Sequence, residues 1–395
     1  KFSLNVPAGS TLKISYIGYQ DFETVITTQS TLDVVLKIDS KTLDEVVVVG
    51  FGSQKKVNVT GAVSMVGSEV IESRPVQNVS QALQGVVPGL NFSVNTSGGA
   101  LDNSLNVNIR GAGTIGDGSN SSPLVLIDGV EGNMNAINPQ DIESISVLKD
   151  AASASIYGAR AAFGVILINT KSGKSGRTNV NYSGNVRFTD ALAVPDMLDS
   201  YKFAQYFNEA AKNSGQGAVF SETQMQRILA YQKGEITDGA TINTTNNRWN
   251  NYTGANANTD WFKEMYKDWV PSHEHNLSVS GGNEKVTYLV SGNFLDQNGL
   301  IAHGKDKFNR YTLNGKINAT LSDYVKLNYS SKWIREDYKR PSYMTGLFFH
   351  NIARRWPTNP VYDPNGYYME GNEIIQMEDG GIQKNQKDYA YQQLQ

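Results

Sequence analysis

At 395 residues, with a net charge of −3 and no cysteine, the chain is long enough for two or three domains with a sizeable core. Disulfides and thiolate metal sites are excluded, and the charge balance gives no footprint for a nucleic-acid partner. Mean hydropathy is negative and no run of 18 apolar residues occurs, which excludes a helical membrane span but not a β-barrel, whose strands are half polar.

Residues 1–38 read as short strands, Phe2–Val6, Thr11–Tyr16, Phe22–Thr27 and Leu32–Lys37, separated by turn chemistry at Pro7-Ala8-Gly9-Ser10 and Gly18. They are expected to be the last part of a small β-sandwich. The opening Lys1-Phe2-Ser3-Leu4 looks like the middle of a strand rather than a signal peptide. The linker 39–52 carries Asp44-Glu45-Val46-Val47-Val48-Val49 before Gly50-Phe51-Gly52. Four β-branched residues in a row favour an extended segment. It is either an ordinary buried strand or one that adds itself to another protein's sheet edge.

Residues 53–174 read as a compact α/β unit. Ser80–Gln84 has the form of a capped short helix, and Leu105–Ile109 and Leu124–Ile127 are strands, the second ending in an Asp128-Gly129 turn. Asn138-Pro139 pairs an N-cap with proline at the first helical position. Ser144–Leu148 and Val165–Asn169 read as strands around a small-residue helix, Ala151–Tyr157, and Lys171–Gly176 as a linker.

From residue 178 the period changes. Val180, Tyr182, Gly184, Val186 and Phe188 alternate with polar residues, and the pattern returns at Val286–Phe294, Tyr311–Thr320 and Val325–Ile334, and more briefly at His275–Gly282. One oily and one wet face over about nine residues is the pattern of a transmembrane barrel wall. Tight turns at 282–284 and 322–323 alternate with a longer loop, 295–307, and a large insertion, 190–273, as on the two faces of an outer-membrane barrel. The insertion carries an amphipathic helix, Tyr201–Lys212, and an asparagine-rich stretch, Asn243–Asn258, expected to be an exposed loop. Five strands cannot close a barrel, which needs at least about eight. Open edges in lipid would leave unpaired amides, so the chain reads as cut at both ends.

No catalytic constellation emerges. Gly111-Ala112-Gly113-Thr114-Ile115-Gly116 follows a strand, but loop rather than helix follows it, which argues against a dinucleotide site. His273 and His275 are too few for zinc, and Asp363-Pro364-Asn365-Gly366 reads as a turn rather than a calcium loop. Asp102, Asp128, Glu131 and Asp141 are scattered carboxylates without a hydrolase motif, and Ser153 and Ser155 lack a nucleophile elbow. Neither an enzyme nor a resident cofactor or metal is expected.

The segments Ser122–Val130 (SPLVLIDGV), Asp141–Ala162 (DIESISVLKDAASASIYGARAA) and Val107-Asn108-Ile109-Arg110-Gly111 resemble the plug signature of SusC-type (RagA-like) TonB-dependent outer-membrane transporters of Bacteroidota. The resemblance implies a mostly β chain in four parts. These are the end of a carboxypeptidase-regulatory-like β-sandwich (1–38), a linker with the Ton box (39–52), a plug (53–174) and the first strands of a 22-stranded barrel (178–395). It marks Asp44, Glu45, Val46, Val47, Val48 and Val49 as the Ton box, followed here by Gly-Phe-Gly where the family often has Gly-Tyr-Gly. Arg110, Gly111, Asp128, Gly129, Lys149, Asp150, Tyr157 and Gly158 become plug-signature residues. The implied function is import of a glycan or oligopeptide across the outer membrane. The implied partners are TonB with its ExbB/ExbD energising complex, a SusD-like surface lipoprotein and outer-membrane lipid. A siderophore receptor of the same fold and a cell-surface β-rich adhesin are the alternatives. Trp249, Tyr252, Trp261 and Trp356 are candidates for ligand contact by residue type alone.

Overall fold

The structure is a computed structural model. It describes all residues except 1–6, 8, 15–21, 27–33, 36–45, 50, 51, 56–62, 75, 94–100, 102–104, 110, 112–121, 193 and 345. In the N-terminal region β1 (Thr11–Ile14) and β2 (Phe22–Val25) form an antiparallel hairpin. The other two strands expected there fall wholly or mostly outside the described residues. The valine run forms β3 (Val46–Val49), paired antiparallel with β4 (Gly52–Lys55). Asp44 and Glu45 lie outside the described residues.

The next unit contains β5 (Val63–Gly67), α1 (Ser68–Glu72), α2 (Val79–Leu83), β6 (Leu90–Ser93), β7 (Asn106–Ile109), β8 (Leu124–Ile127), β9 (Val130–Glu131), β10 (Ile142–Leu148), α3 (Ala151–Ala154) and β11 (Val165–Thr170). Its sheet has the order β5-β10-β11-β8-β9, with β11 and β8 parallel. Strands β10 and β11 are apolar on both faces because both faces are covered. Ile145, Val147, Ile166 and Ile168 pack towards Ala82 and Leu83 of α2, while Leu148, Val165 and Leu167 pack towards Ala154 and Ala161. The helix α2 begins one residue earlier than the sequence suggests. Its cap is Asn78, which accepts from the Gln81 amide at 2.9 Å, and Ser80 lies within the helix. The expected helix 151–157 splits into α3 and a 3-10 segment, Ser155–Ala161, broken at Gly158 with φ 70°.

The wall follows. β12 (Gly176–Thr189) leads into an insertion with α4 (Ser200–Asn213), α5 (Glu222–Gln232), β13 (Ile242–Asn243), β14 (Arg248–Trp249) and α6 (Trp261–Met265). Then come β15 (Val270–Gly282), β16 (Val286–Asn298), β17 (Lys307–Thr320) and β18 (Lys326–Pro341). α7 (Gly346–Arg354), α8 (Glu373–Glu378) and β19 (Ile382–Leu394) complete the chain. The sheet order β12-β15-β16-β17-β18-β19 is an antiparallel meander. It has six strands, not the five expected. β19 escapes pattern reading because Gln386, Asp388 and Gln392 take positions where the other strands are oily. Tight turns close the end near residues 283–285 and 321–325, and the long insertions leave from the opposite end.

The polarity of this sheet is inverted relative to a water-soluble protein. Val180, Tyr182, Val186, Leu277, Val290, Leu313, Ile317 and Trp333 are exposed on one face. On the other face Glu274, Asn276, Ser291, Asn293, Arg310, Asn314, Lys316 and Lys332 are buried. Registers align Phe294 with Tyr311, Gly292 with Leu313 with Trp333, Val290 with Gly315, Tyr288 with Ile317 with Tyr329, and Val286 with Ala319 with Leu327. Five such rows, two residues apart, span about 27 Å along the strands and about 21 Å across the bilayer at a tilt of about 40°, close to the apolar band of about 25 Å that outer-membrane barrels carry.

Two further clusters sit among the insertions at the long-loop end. Trp261, Met265, Ile301, Phe348, Ile352 and Met377 form one. Ala204, Phe220, Met225 and Ile228, with Phe203, Phe207 and Trp356 against them, form the other. The stretch Asn243–Asn258 is not simply an exposed loop. Its hairpin β13–β14 leads to Ala255, Asn256 and Ala257, all buried, where the Asn256 side-chain amide donates to the Asp238 carbonyl at 2.7 Å.

Candidate functional site: the polar seam between plug and wall

The wet face of the wall is buried because the 53–174 unit lies against it, and three polar nodes join the two. The first is built on a two-residue turn between β8 and β9. Asp128 and Gly129 both have positive φ, 49° and 92°, the type I′ geometry that Asp-Gly favours. Asp128 is fixed within the plug by the Thr170 amide (2.8 Å) and hydroxyl (2.7 Å). It then meets the wall: Lys316 Nζ donates to Asp128 Oδ1 at 2.9 Å and to the Thr170 carbonyl at 2.8 Å, and Lys332 Nζ lies 3.8 Å from Asp128 Oδ2. Burial alone would raise this carboxyl's pKa. The two lysines and the Thr170 bonds outweigh burial and hold it below the usual carboxylate range.

The second node is centred on Glu274 of β15. It holds Arg187 of β12 in a close ion pair, lies 3.8 Å from Arg310 of β17 and accepts from the Asn293 amide at 3.0 Å. Both guanidiniums reach plug carbonyls. Arg310 donates to Asn135 O (3.0 Å) and Gln77 O (3.1 Å), and Arg187 to Val76 O (3.5 Å). A wall carboxylate thus orients wall arginines that cap plug backbone.

The third node follows Asn138, which caps the 3-10 turn Pro139–Asp141. Its side-chain amide donates to Asn276 Oδ1 of β15 at 3.2 Å. Asp141 Oδ1 accepts from Ser291 Oγ of β16 at 2.7 Å. Burial pushes the Asp141 carboxyl up, and the Ser291 bond and nearby cations offset this only in part. Tyr389 and Tyr391 of β19 and Ile334 of β18 add apolar contact to the plug core. The linker from plug to wall passes so close to the Tyr288 backbone that a Cβ at Gly173 would overlap it.

The carboxylates singled out from sequence are therefore distributed between partners. Asp128 and Asp141 face the wall, Glu131 pairs with Arg160 at 2.6 Å, and Asp102 lies outside the described residues. Among the plug-signature positions, Lys149 donates to Pro88 O at 2.8 Å and Asp150 caps α3 through the Ser153 amide at 2.7 Å. Tyr157 packs on the second plug cluster, Gly111 has φ 96°, and Arg110 lies outside the described residues. His275 Nδ1 meets Tyr182 Oη at 2.7 Å on the outer face of the wall. The proposed ligand aromatics are mostly engaged in packing. Trp261 is fully buried with its indole donating to Trp356 O at 3.0 Å, Trp356 sits among Phe203, Phe207 and Phe220, and Trp249 is half-buried in β14. Tyr252 alone of the four is exposed. Sequence reading missed Glu274, Arg187, Arg310, Lys316 and Lys332. Their signal was charge at inward positions of otherwise oily alternating strands.

A plug unit docked on the polar face of an inverted antiparallel wall is the architecture of a barrel receptor with an internal plug. Residues 55–165 match the TonB-dependent Receptor Plug Domain family. TonB-dependent receptor P26 of Formosa agariphila is 32% identical over 383 residues, covering 95% of this chain and 34% of that protein. TonB-dependent receptor SusC of Bacteroides thetaiotaomicron is 29% identical, covering 93% and 33%. The RagAB peptide importer in its open-open state superposes with a TM-score of 0.63 at 27% identity, over 83% of this chain and 37% of that one. The chain belongs with the SusC-type TonB-dependent receptors, a family of outer-membrane β-barrel proteins, and spans about a third of the length of these curated relatives.

Proposed function

We propose that this chain is part of a transporter that imports a glycan or oligopeptide across the outer membrane. In this reading residues 1–38 close a β-sandwich, 39–52 carry the Ton box, 53–174 form the plug and 178–395 begin the barrel. The observation that carries it is the pairing of an oily outward face with a charged inward face sealed by the plug. A seam of hydrogen bonds and ion pairs can exchange its partners for water when the plug shifts, at a net cost of about 0.5–1.5 kcal/mol per neutral bond. An oily seam would expose apolar surface instead.

The mechanism follows from those parts. Substrate arrives at the long-loop end, where a SusD-like lipoprotein closes over it. Binding biases the plug towards a state that releases Asp44–Val49 to the periplasm. TonB, energised by ExbB/ExbD, pairs with that segment as an added strand. The four-valine strand β3 suits this role, since its backbone already pairs in antiparallel register with β4. Force on the linker then parts the seam, and the substrate passes with no bond made or broken. Import of the SusC/RagAB kind is preferred to siderophore uptake because the likeness to those proteins runs over most of this chain. Deleting Asp44–Val49 in the complete protein should leave substrate binding intact and abolish uptake. Normal uptake by that variant would sink the coupling claim.

A further inference from the structure

Above the oily band, the outer face of the wall ends in a row of cations. Register places Asn298 beside Lys307, Lys307 beside Lys339, and Lys339 beside Lys384, all on the face that carries Tyr311 and Trp333. Like charges directly opposite on neighbouring strands repel. Lys307 is relieved by Asp296 at 2.7 Å. Among the described residues, no carboxylate comes within ion-pair distance of Lys339 or Lys384.

A cavity of roughly 620 Å³ opens at this row, between the segment entering β15, the β16–β17 loop and the end of β18. Lys267, Lys305, Lys307 and Lys339 line it, against Asp268 and Asp306. Asp306 is buried, whereas Lys267, Lys305 and Lys339 are exposed. Trp269, also lining the cavity, is exposed and held at φ 54°. An aromatic side chain at this height suits the boundary between hydrocarbon and headgroups. At the opposite end, the outermost register row on this face is Val286, Ala319 and Leu327, with no cation in it. The asymmetry matches a bilayer whose leaflets carry different headgroups.

We propose that this cavity binds the phosphorylated sugar headgroup of an outer-leaflet glycolipid, with Lys307 and Lys339 on the phosphate and Trp269 beside the sugar. The lysines are strongly hydrated point charges that take phosphate without demanding a fixed geometry. The cavity volume suits a sugar headgroup. The cations lie outside the wall, on the side away from the plug, so the site is separate from the import path. It rests on the outer-membrane reading above.

The test is native mass spectrometry of the complete protein purified in mild detergent, with bound lipid identified by fragmentation. The wild-type protein should retain a phosphorylated glycolipid, and Lys307→Gln/Lys339→Gln should retain on the order of tenfold less or lower, from the contribution of each lysine near a charged lipid surface. Lys326→Gln, at the opposite end of the wall, should retain it normally. Added dephosphorylated glycolipid should not rebind, and inorganic phosphate should displace the lipid weakly at most. Equal retention by the double variant, or no glycolipid on a wild-type protein that is inserted and heat-modifiable, would overturn the proposal. Displacement by millimolar phosphate would make the site one for the free anion and would also overturn it. A complete protein that fails to insert at all would instead overturn the membrane reading beneath it.

Discussion

The two faces of the six-stranded wall are made from the same strands by the same alternation, yet they solve opposite problems. On β17, Tyr311, Leu313 and Ile317 point outward and stay exposed, while Arg310, Thr312, Asn314 and Lys316 point inward and are buried. In a soluble β-sandwich the oily face would be the covered one. Here the covered face is charged, with Lys316 and Arg310 meeting plug groups and Glu274 meeting the wall's own arginines, whereas the exposed face is oily from β12 through β17. Burial alone therefore does not mark the hydrophobic side of a sheet. What marks it is which solvent each face is built to meet.

Breaking the inner face at its best-connected point should have the largest effect. Asp128→Ala would leave Lys316 and Lys332 without their buried counter-charge, a loss of about 3–5 kcal/mol in plug docking. Protease cleavage of the plug in the assembled protein, at rates well above wild type, would report it. Breaking the outer face comes next. Leu313→Arg places a charge in the oily band and should cost about 2–4 kcal/mol of insertion near the bilayer midplane. The heat-modifiable folded fraction in bilayers would fall accordingly, while Asn314→Ala, one residue away on the inner face, should leave that fraction nearly unchanged.

Smaller effects sharpen the comparison. Asn276→Ala leaves the Asn138 amide unpartnered and should cost about 1–3 kcal/mol of plug docking. The two plug aspartates should also respond to acid in opposite senses. Asp128 has its carboxyl depressed by Lys316 and Lys332, so its contribution is complete above the ordinary carboxylate range and is lost as pH falls through its own lower value. Asp141 has its carboxyl raised by burial, so its ionisation weakens docking as pH climbs above about 4. Asp141→Asn should therefore dock at least as tightly as wild type at pH 7, and the difference should vanish below about pH 4. Plug protection from proteolysis across that range measures both.

Much of the architecture was legible because local chemistry and global fold agree. The Asp128-Gly129 pair specified its turn, the VILIN run specified a strand buried on both faces, and Val180–Phe188 specified a wall strand. β19 was not legible, since Lys384, Gln386, Asp388 and Gln392 leave no oily stripe, and its place is set by pairing with β18 instead. The short helices α5 to α8 were missed because they are held by packing against Trp261, Phe220 and Phe348 rather than by long periodic faces. The seam itself was half visible. Asp128 and Asp141 stood out as residues, but their wall partners Ser291, Lys316 and Lys332 lie from 150 to about 200 positions away, and only the strand registers bring them together.

The most direct test of the account is a reversible tether across the seam. Cysteines placed at Asn138 and Asn276, whose side chains touch in the structure, would be joined by a short bis-methanethiosulfonate linker, which forms reducible disulfides and releases sulfinate, in the complete protein with any other cysteine replaced, and uptake of its substrate measured before and after reduction. The account predicts normal binding, no uptake while the plug is tied to the wall, and recovery on reduction. Full uptake with the tether in place would contradict it.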